Sequence, residues 1–210
     1  MDIFVTGTDT DVGKTVLSAV LVAGLQAAYW KPIQTGCLGG QAPTDRDTVL
    51  GWAGLDPANA PPEAYVFDPP VSPHLAARAA GTTIDLSSIR RPETPGVLVI
   101  EGAGGAMVPI NETQLMLDLM EHLKAPVVVA ARTTLGTINH TLLTVDAIRR
   151  RGLTLAGVVM IGDENVENRN SIEQYGQIPV IGQIPPIARI NRAALIETFD
   201  RHFDRSRFEA

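Results

Sequence analysis

The sequence predicts an α/β fold of the P-loop NTPase kind, a mostly parallel sheet with helices on both faces. Three observations carry that prediction. Residues Met1 to Leu17, MDIFVTGTDTDVGKTVL, read as a strand, a polar loop and a helix start. Continuous apolar runs such as Val97 to Ile100 and Ala125 to Ala131 have the composition of parallel strands buried on both faces. These runs alternate with segments of helical periodicity, the pattern of βαβ units.

The first of these segments carries chemistry. Ile3, Phe4 and Val5 lead to Gly7, and Gly13-Lys14-Thr15 opens the helix. Such a junction attracts anions, because free backbone N–H groups and the positive end of the helix dipole converge on it. In a phosphate loop the lysine reaches the β- and γ-phosphates and the following hydroxyl ligates Mg²⁺, which assigns those roles to Lys14 and Thr15. The spacing departs from the common pattern of glycine, four residues and Gly-Lys-Ser/Thr. Here five residues separate Gly7 from Gly13, and Thr8 stands where the first glycine is expected.

Length and composition bound the rest. A chain of 210 residues suits one α/β domain over 1–210, and 45% apolar residues are those of a folded chain. The net charge of −6, with no block of basic residues, argues against a nucleic-acid surface. Arg201, Arg205 and Arg207 are interleaved with Asp200, Asp204 and Glu209, which reads as a solvated helix face. Cys37 is the sole cysteine, so no intramolecular disulfide can form, and Met1 leads straight into a strand without a targeting segment. Both features point to a cytoplasmic protein. No apolar run approaches the roughly 18 residues that span a bilayer.

In chain order, Thr15 to Ala28 keep helical spacing, and Ala27 to Ile33 read as a second strand that Pro32 brings to an end. Gln34 to Thr44 is a loop by composition. Asp45 to Ala53 is a short helix capped by Thr44 or Asp45. Asp56 to Pro73 is a proline-rich excursion anchored by Tyr65, Val66 and Phe67. Ser72-Pro73 opens a helix that stops at Gly81, and Ile84 to Arg91 form another short helix. Strands follow at Val97 to Ile100, Ala125 to Ala131, Leu155 to Ile161 and Val180 to Ile184. Helices lie at Leu115 to Leu123, Ile138 to Arg151, Val166 to Tyr175 and Asn191 to Phe203. In open α/β sheets ligands sit beyond the carboxyl ends of strands. Thr8 to Thr15, Lys31 to Thr35, Glu101 to Gly105 and Arg132 to Asn139 all fall there.

Among these, Lys31 ends an apolar strand. It is either a lysine snorkelling from the sheet edge or a second cation for phosphoryl transfer. Glu101 ends the strand VLVIE, where a buried acid needs a partner and a metal or its water can supply one. Asp47 is the second candidate Mg²⁺ ligand, set against a simple helix-cap reading because Asp45 lies two residues away. Gly102, Gly104 and Gly105 suit close backbone approach to a ligand. His74, His122, His140 and His202 lack metal-ligand spacing, and Cys37 reads as an inert thiol.

Taken together the segments resemble the dethiobiotin synthetase family. The resemblance rests on FVTGTDTDVGKT (Phe4 to Thr15), KPIQTG (Lys31 to Gly36), SPHLAA (Ser72 to Ala77) and EGAGG (Glu101 to Gly105). LGTINH (Leu135 to His140), LAGVV (Leu155 to Val159) and GQIP (Gly182 to Pro185) complete it. The five-residue loop spacing is this family's own variant. The resemblance implies an ATP- and Mg²⁺-dependent ligase that closes the ureido ring of dethiobiotin from 7,8-diaminononanoate and CO₂. A carbamate oxygen attacks the γ-phosphate, and the second amine then displaces phosphate from a carbamic–phosphoric anhydride.

By motif match the resemblance makes Lys31 and Lys14 catalytic. It places the nucleotide on Asp11, Val12, Gly13, Lys14, Thr15, Val16, Asp47, Glu101, Gly102, Ala103, Gly104, Pro185, Pro186 and Ile187. It places the metal on Thr15, Asp47 and Glu101, and the organic substrate on Thr10, Thr35, Gly136 and Asn139. Gly136 to Asn139 match a helix N-terminus that receives the substrate carboxylate across a dimer interface, so a homodimer is implied. Two departures stand out. Ile161 stands near the position where the family commonly carries an adenine-reading asparagine, leaving Asp163 or backbone groups to read the base. Pro185-Pro186-Ile187 lacks the usual central aromatic. A second reading, a partition- or positioning-type switch ATPase that binds partners and membranes, calls for an early P-loop lysine. Thr8 to Asp11 contain none.

Overall fold

The computed structural model describes residues 2–37, 39 and 43–208. Residues 38 and 40–42 of the expected 34–44 loop, and Glu209 of the mixed-charge end, lie outside the described residues. The chain runs β1 (Asp2–Gly7), α1 (Lys14–Leu25), β2 (Ala28–Trp30), β3 (Ile33–Thr35), α2 (Asp45–Ala53), β4 (Tyr65–Phe67) and α3 (Pro73–Ala79). It continues β5 (Leu98–Gly105), α4 (Met116–Leu123), β6 (Val127–Arg132), α5 (Thr137–Arg150), β7 (Leu155–Ile161), α6 (Val166–Gly176), β8 (Val180–Ile184) and α7 (Arg192–His202).

Six of the strands form one sheet in the order β2-β5-β1-β6-β7-β8, every pair parallel. The chain leaves β1 toward β2 on one side and later fills the other side with β6, β7 and β8. β1 therefore lies at the switch point, where an open sheet leaves a crevice beyond its strand ends.

Period-two alternation divides the core into two layers. Ile3, Val5, Val99, Val128, Ala130 and Val159 face α1, α2 and α7, packing with Leu17, Leu21, Leu50, Leu195 and Phe199. Phe4, Leu98, Ile100, Val127, Val129, Val158 and Met160 face α4, α5 and α6, packing with Met116, Met120, Val145, Ile148 and Ile172. This is the mostly parallel sheet with helices on both faces that the alternation of elements predicts.

Three expectations are corrected. The strand expected over Ala27 to Ile33 is two strands. β2 ends at Trp30, and after Pro32 the chain moves to a separate two-stranded sheet in which β3 pairs with β4. Proline has no N–H to extend the first ladder, and its carbonyl instead accepts from Ala64 and Tyr65. The strand expected to end at Ile100 continues to Gly105. The reason is steric: Gly105 pairs with Gly7, and a Cβ on it would lie 3.2 Å from the Gly7 carbonyl oxygen. The helix expected over Ile84 to Arg91 is one 3₁₀ turn, Leu86–Ser88. The Asp85 carboxylate closes that turn by accepting from the Ser87 N–H at 2.9 Å.

At the C-terminal end the mixed-charge reading holds for the described residues. Arg201 pairs with Glu197, Arg205 with Asp200 and Arg207 with Asp204, all at least half exposed.

Candidate active site

The carboxyl ends of β1, β2 and β5 and the start of α1 meet at one crevice. A cavity of about 770 Å³ opens there. Of the expected site residues, Thr10, Asp11, Gly13, Lys14, Thr15, Val16, Lys31, Thr35, Glu101, Ala103 and Gly104 line it.

The loop after β1 turns tightly. The Thr8 N–H donates to the Ala130 carbonyl at 3.0 Å, carrying the ladder one step past β1. Asp11 adopts φ 56°, a left-handed conformation that aspartate tolerates better than most residues. Val12 turns into the core, 2% exposed, so its contribution to the site is to anchor the loop. Gly13 then opens α1 at φ 94°, with no side chain capping the helix and no acid in its first turn. The N–H groups at this helix start are thus left for an anion. Lys14, also buried, donates from Nζ to the Asp9 carbonyl at 3.0 Å. Burial, only partly offset by Glu101, lowers its pKa. Across the loop Arg132 holds Asp9 at 2.9 Å.

Beside the loop a charged cluster is built from four elements. Glu101, 1% exposed, sits on the same face of β5 as Val99. Its Oε1 accepts from Lys31 Nζ at 3.0 Å and from Thr15 Oγ1 at 3.2 Å. Its Oε2 accepts from Ser18 Oγ at 2.7 Å and from the Tyr29 hydroxyl at 3.0 Å. Lys31 also pairs with Asp45, whose Oδ1 accepts from Thr15 at 3.1 Å. The Asp45 N–H donates to Gln34 Oε1 at 3.1 Å.

Burial works against charge on Lys31, but Glu101 and Asp45 outweigh it and raise its pKa, so the ammonium is retained. Burial likewise opposes the Asp45 carboxylate, and Lys31 outweighs it, holding the carboxyl below its ordinary value. Burial and the adjacent Glu101 push the Tyr29 phenol well above its ordinary value, so it remains a donor.

Asp47 does not enter this cluster. Its carboxylate accepts from the Thr44 N–H, and the Thr44 hydroxyl accepts from the Asp47 N–H, a capping box on α2. Asp47, expected as a metal-side acid, is the helix cap here, and Asp45, not among the expected site residues, takes the place beside Thr15. Asp45, as the first helical residue, points toward Thr15, and Asp47, two positions on, sits at N3, where a capping box requires its acid.

Other expected residues lie off the cavity. Gly102 is buried within β5. Pro185, Pro186 and Ile187 follow β8, Pro186 exposed and Ile187 packed against the α1 layer of the core. Ile161 ends β7 with its side chain over the loop, so that a Cβ on Gly13 would lie 3.0 Å from it. Gly136 and Asn139 are exposed at the start of α5.

Residues that sequence reasoning missed also shape the site. Gln34, Pro43, Pro70, Val71, Ser72, Pro73 and Val108 line the cavity, bringing part of the proline-rich excursion to its wall. Ser18 and Tyr29 reach Glu101 from beneath. Period-two alternation places Tyr29 on the α1 side of β2, which is the signal that could have paired it with Glu101.

Among the described residues no group of three or more His, Cys, Asp or Glu could cage a metal. What the cluster offers is two carboxylates and a hydroxyl, with Thr15 Oγ1 within hydrogen-bond distance of both acids. That set fits Mg²⁺, which is commonly held by one or two carboxylates together with nucleotide phosphates.

A family model described as "AAA domain" matches residues 1–194. The chain is 48% identical over 206 residues to the ATP-dependent dethiobiotin synthetase BioD of Rhodopseudomonas palustris (strain HaA2), covering 98% of this chain and 95% of that one. It is 56% identical over 177 residues to the protein of the same name from Paramagnetospirillum magneticum, covering 84% and 83%. Among solved structures it is similar in fold to a ParA family ATPase from Chlorobium tepidum, with TM-score 0.57, 10% identity and coverage of 95% and 92%. It is similar also to the MinC:MinD complex of Aquifex aeolicus, with TM-score 0.55, 12% identity and coverage of 94% and 85%. At that identity the two structures speak for the fold alone. No helix among the described residues is long and apolar enough to cross a membrane. Relatives of this identity and coverage show that the chain belongs to the ATP-dependent dethiobiotin synthetase family.

Proposed function

We propose that this protein makes dethiobiotin by closing a ureido ring on 7,8-diaminononanoate with CO₂ and ATP. The observation that carries this reading is Lys31. It is a buried ammonium held by Glu101 at 3.0 Å and by Asp45, in the same cavity as the phosphate-loop lysine. A loop that only bound and released nucleotide needs no second buried cation. Transfer of the γ-phosphoryl to an anionic acceptor does, because negative charge accumulates between the two reactants.

In this reading the N–H groups at the start of α1 and Lys14 hold the phosphates. One substrate amine adds to CO₂ as a carbamate and loses a proton. A carbamate oxygen attacks the γ-phosphorus, the bond to ADP breaks, and a carbamic–phosphoric anhydride forms. The second amine attacks the anhydride carbon, and phosphate leaves with the bridging oxygen. Lys31 lies beside the acceptor and neutralises it, while Thr10 and Thr35 line the acceptor's side of the cavity. Thr15, Asp45 and Glu101 would hold Mg²⁺, which when bound shields charge on the phosphate oxygens.

Gly136 and Asn139 belong in this reading to a neighbouring subunit's site in a homodimer. Three observations support that. They lie off this chain's cavity, α5 starts without a side-chain cap, and two large apolar side chains are exposed near them, Leu135 fully and Leu143 61%. Asn139 and Leu143 share a helix face by their four-residue spacing.

The test is to incubate the protein with 7,8-diaminononanoate, bicarbonate, Mg²⁺ and ATP and to look for dethiobiotin by mass. We expect product in step with ADP. ATP binding without product rejects the reading.

A further inference from the structure

We propose that Tyr29, together with Ser18, is a positioning residue that fixes which oxygen of Glu101 faces the nucleotide. This rests on the reading of Glu101 as a metal-facing group. The Glu101 carboxylate divides cleanly. Among the described residues, Oε1 accepts from groups that line the cavity, Lys31 and Thr15. Oε2 accepts from the core side, from the hydroxyls of Ser18 on α1 and Tyr29 on β2, 0% and 1% exposed.

Two donors on Oε2 fix the carboxylate rotation, so that Oε1, which accepts from Lys31 and Thr15, is the oxygen held toward the cavity. A cation there shares Oε1 with Lys31 or replaces the Thr15 donor, and the neutral donors behind the carboxylate add no charge of their own. Carboxylates that ligate metals are themselves hydrogen-bonded from behind, and losing such support commonly costs about 10- to 100-fold in metal affinity or activity. A purely architectural tyrosine is the alternative, since a buried phenol needs some acceptor. The two differ in what removal of one oxygen atom does.

The experiment compares wild type, Tyr29→Phe and Ser18→Ala. Mn²⁺ binding is followed by electron paramagnetic resonance in the presence of a non-hydrolysable ATP analogue. Thermal midpoints and the Mg²⁺ dependence of the rate are measured alongside. Tyr29→Phe keeps the ring that fills the core. It is expected to weaken Mn²⁺ binding about tenfold and to raise the Mg²⁺ needed for half-maximal rate by a similar factor, with the rate recovered at saturating Mg²⁺. Affinity for the analogue without metal should stay unchanged. A folded Tyr29→Phe with a lower thermal midpoint and unaltered Mn²⁺ affinity overturns the proposal and leaves the phenol architectural. If Tyr29→Phe does not fold, Ser18→Ala decides in the same way, since it removes the other donor from the same oxygen. The Mn²⁺ measurement needs no turnover. Failure to form dethiobiotin therefore counts against the proposed function, while unchanged Mn²⁺ affinity counts against the positioning role.

Discussion

Helices α1 and α5 begin alike and sit in different company. Each opens on a glycine at φ 94°, with no side-chain cap and no acid in its first turn. Both helix starts have the dipole that favours an anion, although at α5 the Thr137 N–H already donates to the Thr134 carbonyl at 3.2 Å. The start of α1 faces a cavity whose wall carries Lys14, Lys31, Asp45 and Glu101. The start of α5 faces outward, with Gly136 and Asn139 exposed and Leu135 beside them. The difference teaches what a helix terminus lacks on its own. Binding an anion takes free N–H groups, whereas transferring a phosphoryl group takes buried countercharges fixed by other elements. We read α1 as a complete half of a site and α5 as a half that a second subunit completes.

The largest expected effect falls on the α1 side. Lys31→Ala should cut turnover on the order of a hundredfold while leaving nucleotide affinity within about threefold, because its charge is needed in the transition state. Equal losses in both, by steady-state kinetics and calorimetric titration, would make Lys31 a simple nucleotide ligand. Next, Asp45→Asn should raise the Mg²⁺ requirement roughly tenfold, and Asp47→Asn should not. The reverse result would restore Asp47 as the metal-side acid.

On the α5 side, Gly136→Val forces a β-branched residue into the left-handed region and shifts the helix start. It should raise the KM for 7,8-diaminononanoate about two- to fivefold, the worth of one helix-terminus interaction, without changing ATP affinity. No change in that KM would leave α5 outside the site. The smallest effect is thermodynamic. Asp47→Ala removes half of a capping box and should lower stability by about 1 kcal/mol in denaturant titration with kinetics intact.

The Lys31–Asp45 pair also has a pH signature. Asp45 is held below its ordinary value in the folded protein. Its contribution is therefore complete above the unfolded carboxylate pKa and is lost as pH falls through the lowered folded value. Chemical denaturation followed through the acid range should show that loss in wild type and a smaller one in Lys31→Met. Parallel curves would mean that the pair contributes nothing.

Much of this was legible in the sequence, for physical reasons. The apolar runs that became β1, β5, β6 and β7 could hardly be anything but buried parallel strands, and Gly13-Lys14-Thr15 at a strand–helix junction announced the phosphate loop. Lys31 and Glu101 stood out because charge at the end of a buried strand needs a reason. Asp47 was expected beside the metal and Asp45 was not, because either fits an N-terminal turn and only the helical phase set by the start of α2 separates them. The run of β5 through its glycines depended on a backbone approach to β1 that no local pattern encodes. Ser18 and Tyr29 look like ordinary core residues in one dimension. Only the pairing of β2 beside β5 and the packing of α1 over the sheet put both hydroxyls on one carboxylate oxygen.

Whether this cavity brings a carbamate to the γ-phosphate can be read by running the reaction with ¹⁸O-labelled CO₂ and weighing both products. Attack by a carbamate oxygen predicts one labelled oxygen in the released phosphate and one in the ureido carbonyl of dethiobiotin. Dethiobiotin formed together with unlabelled phosphate would contradict it.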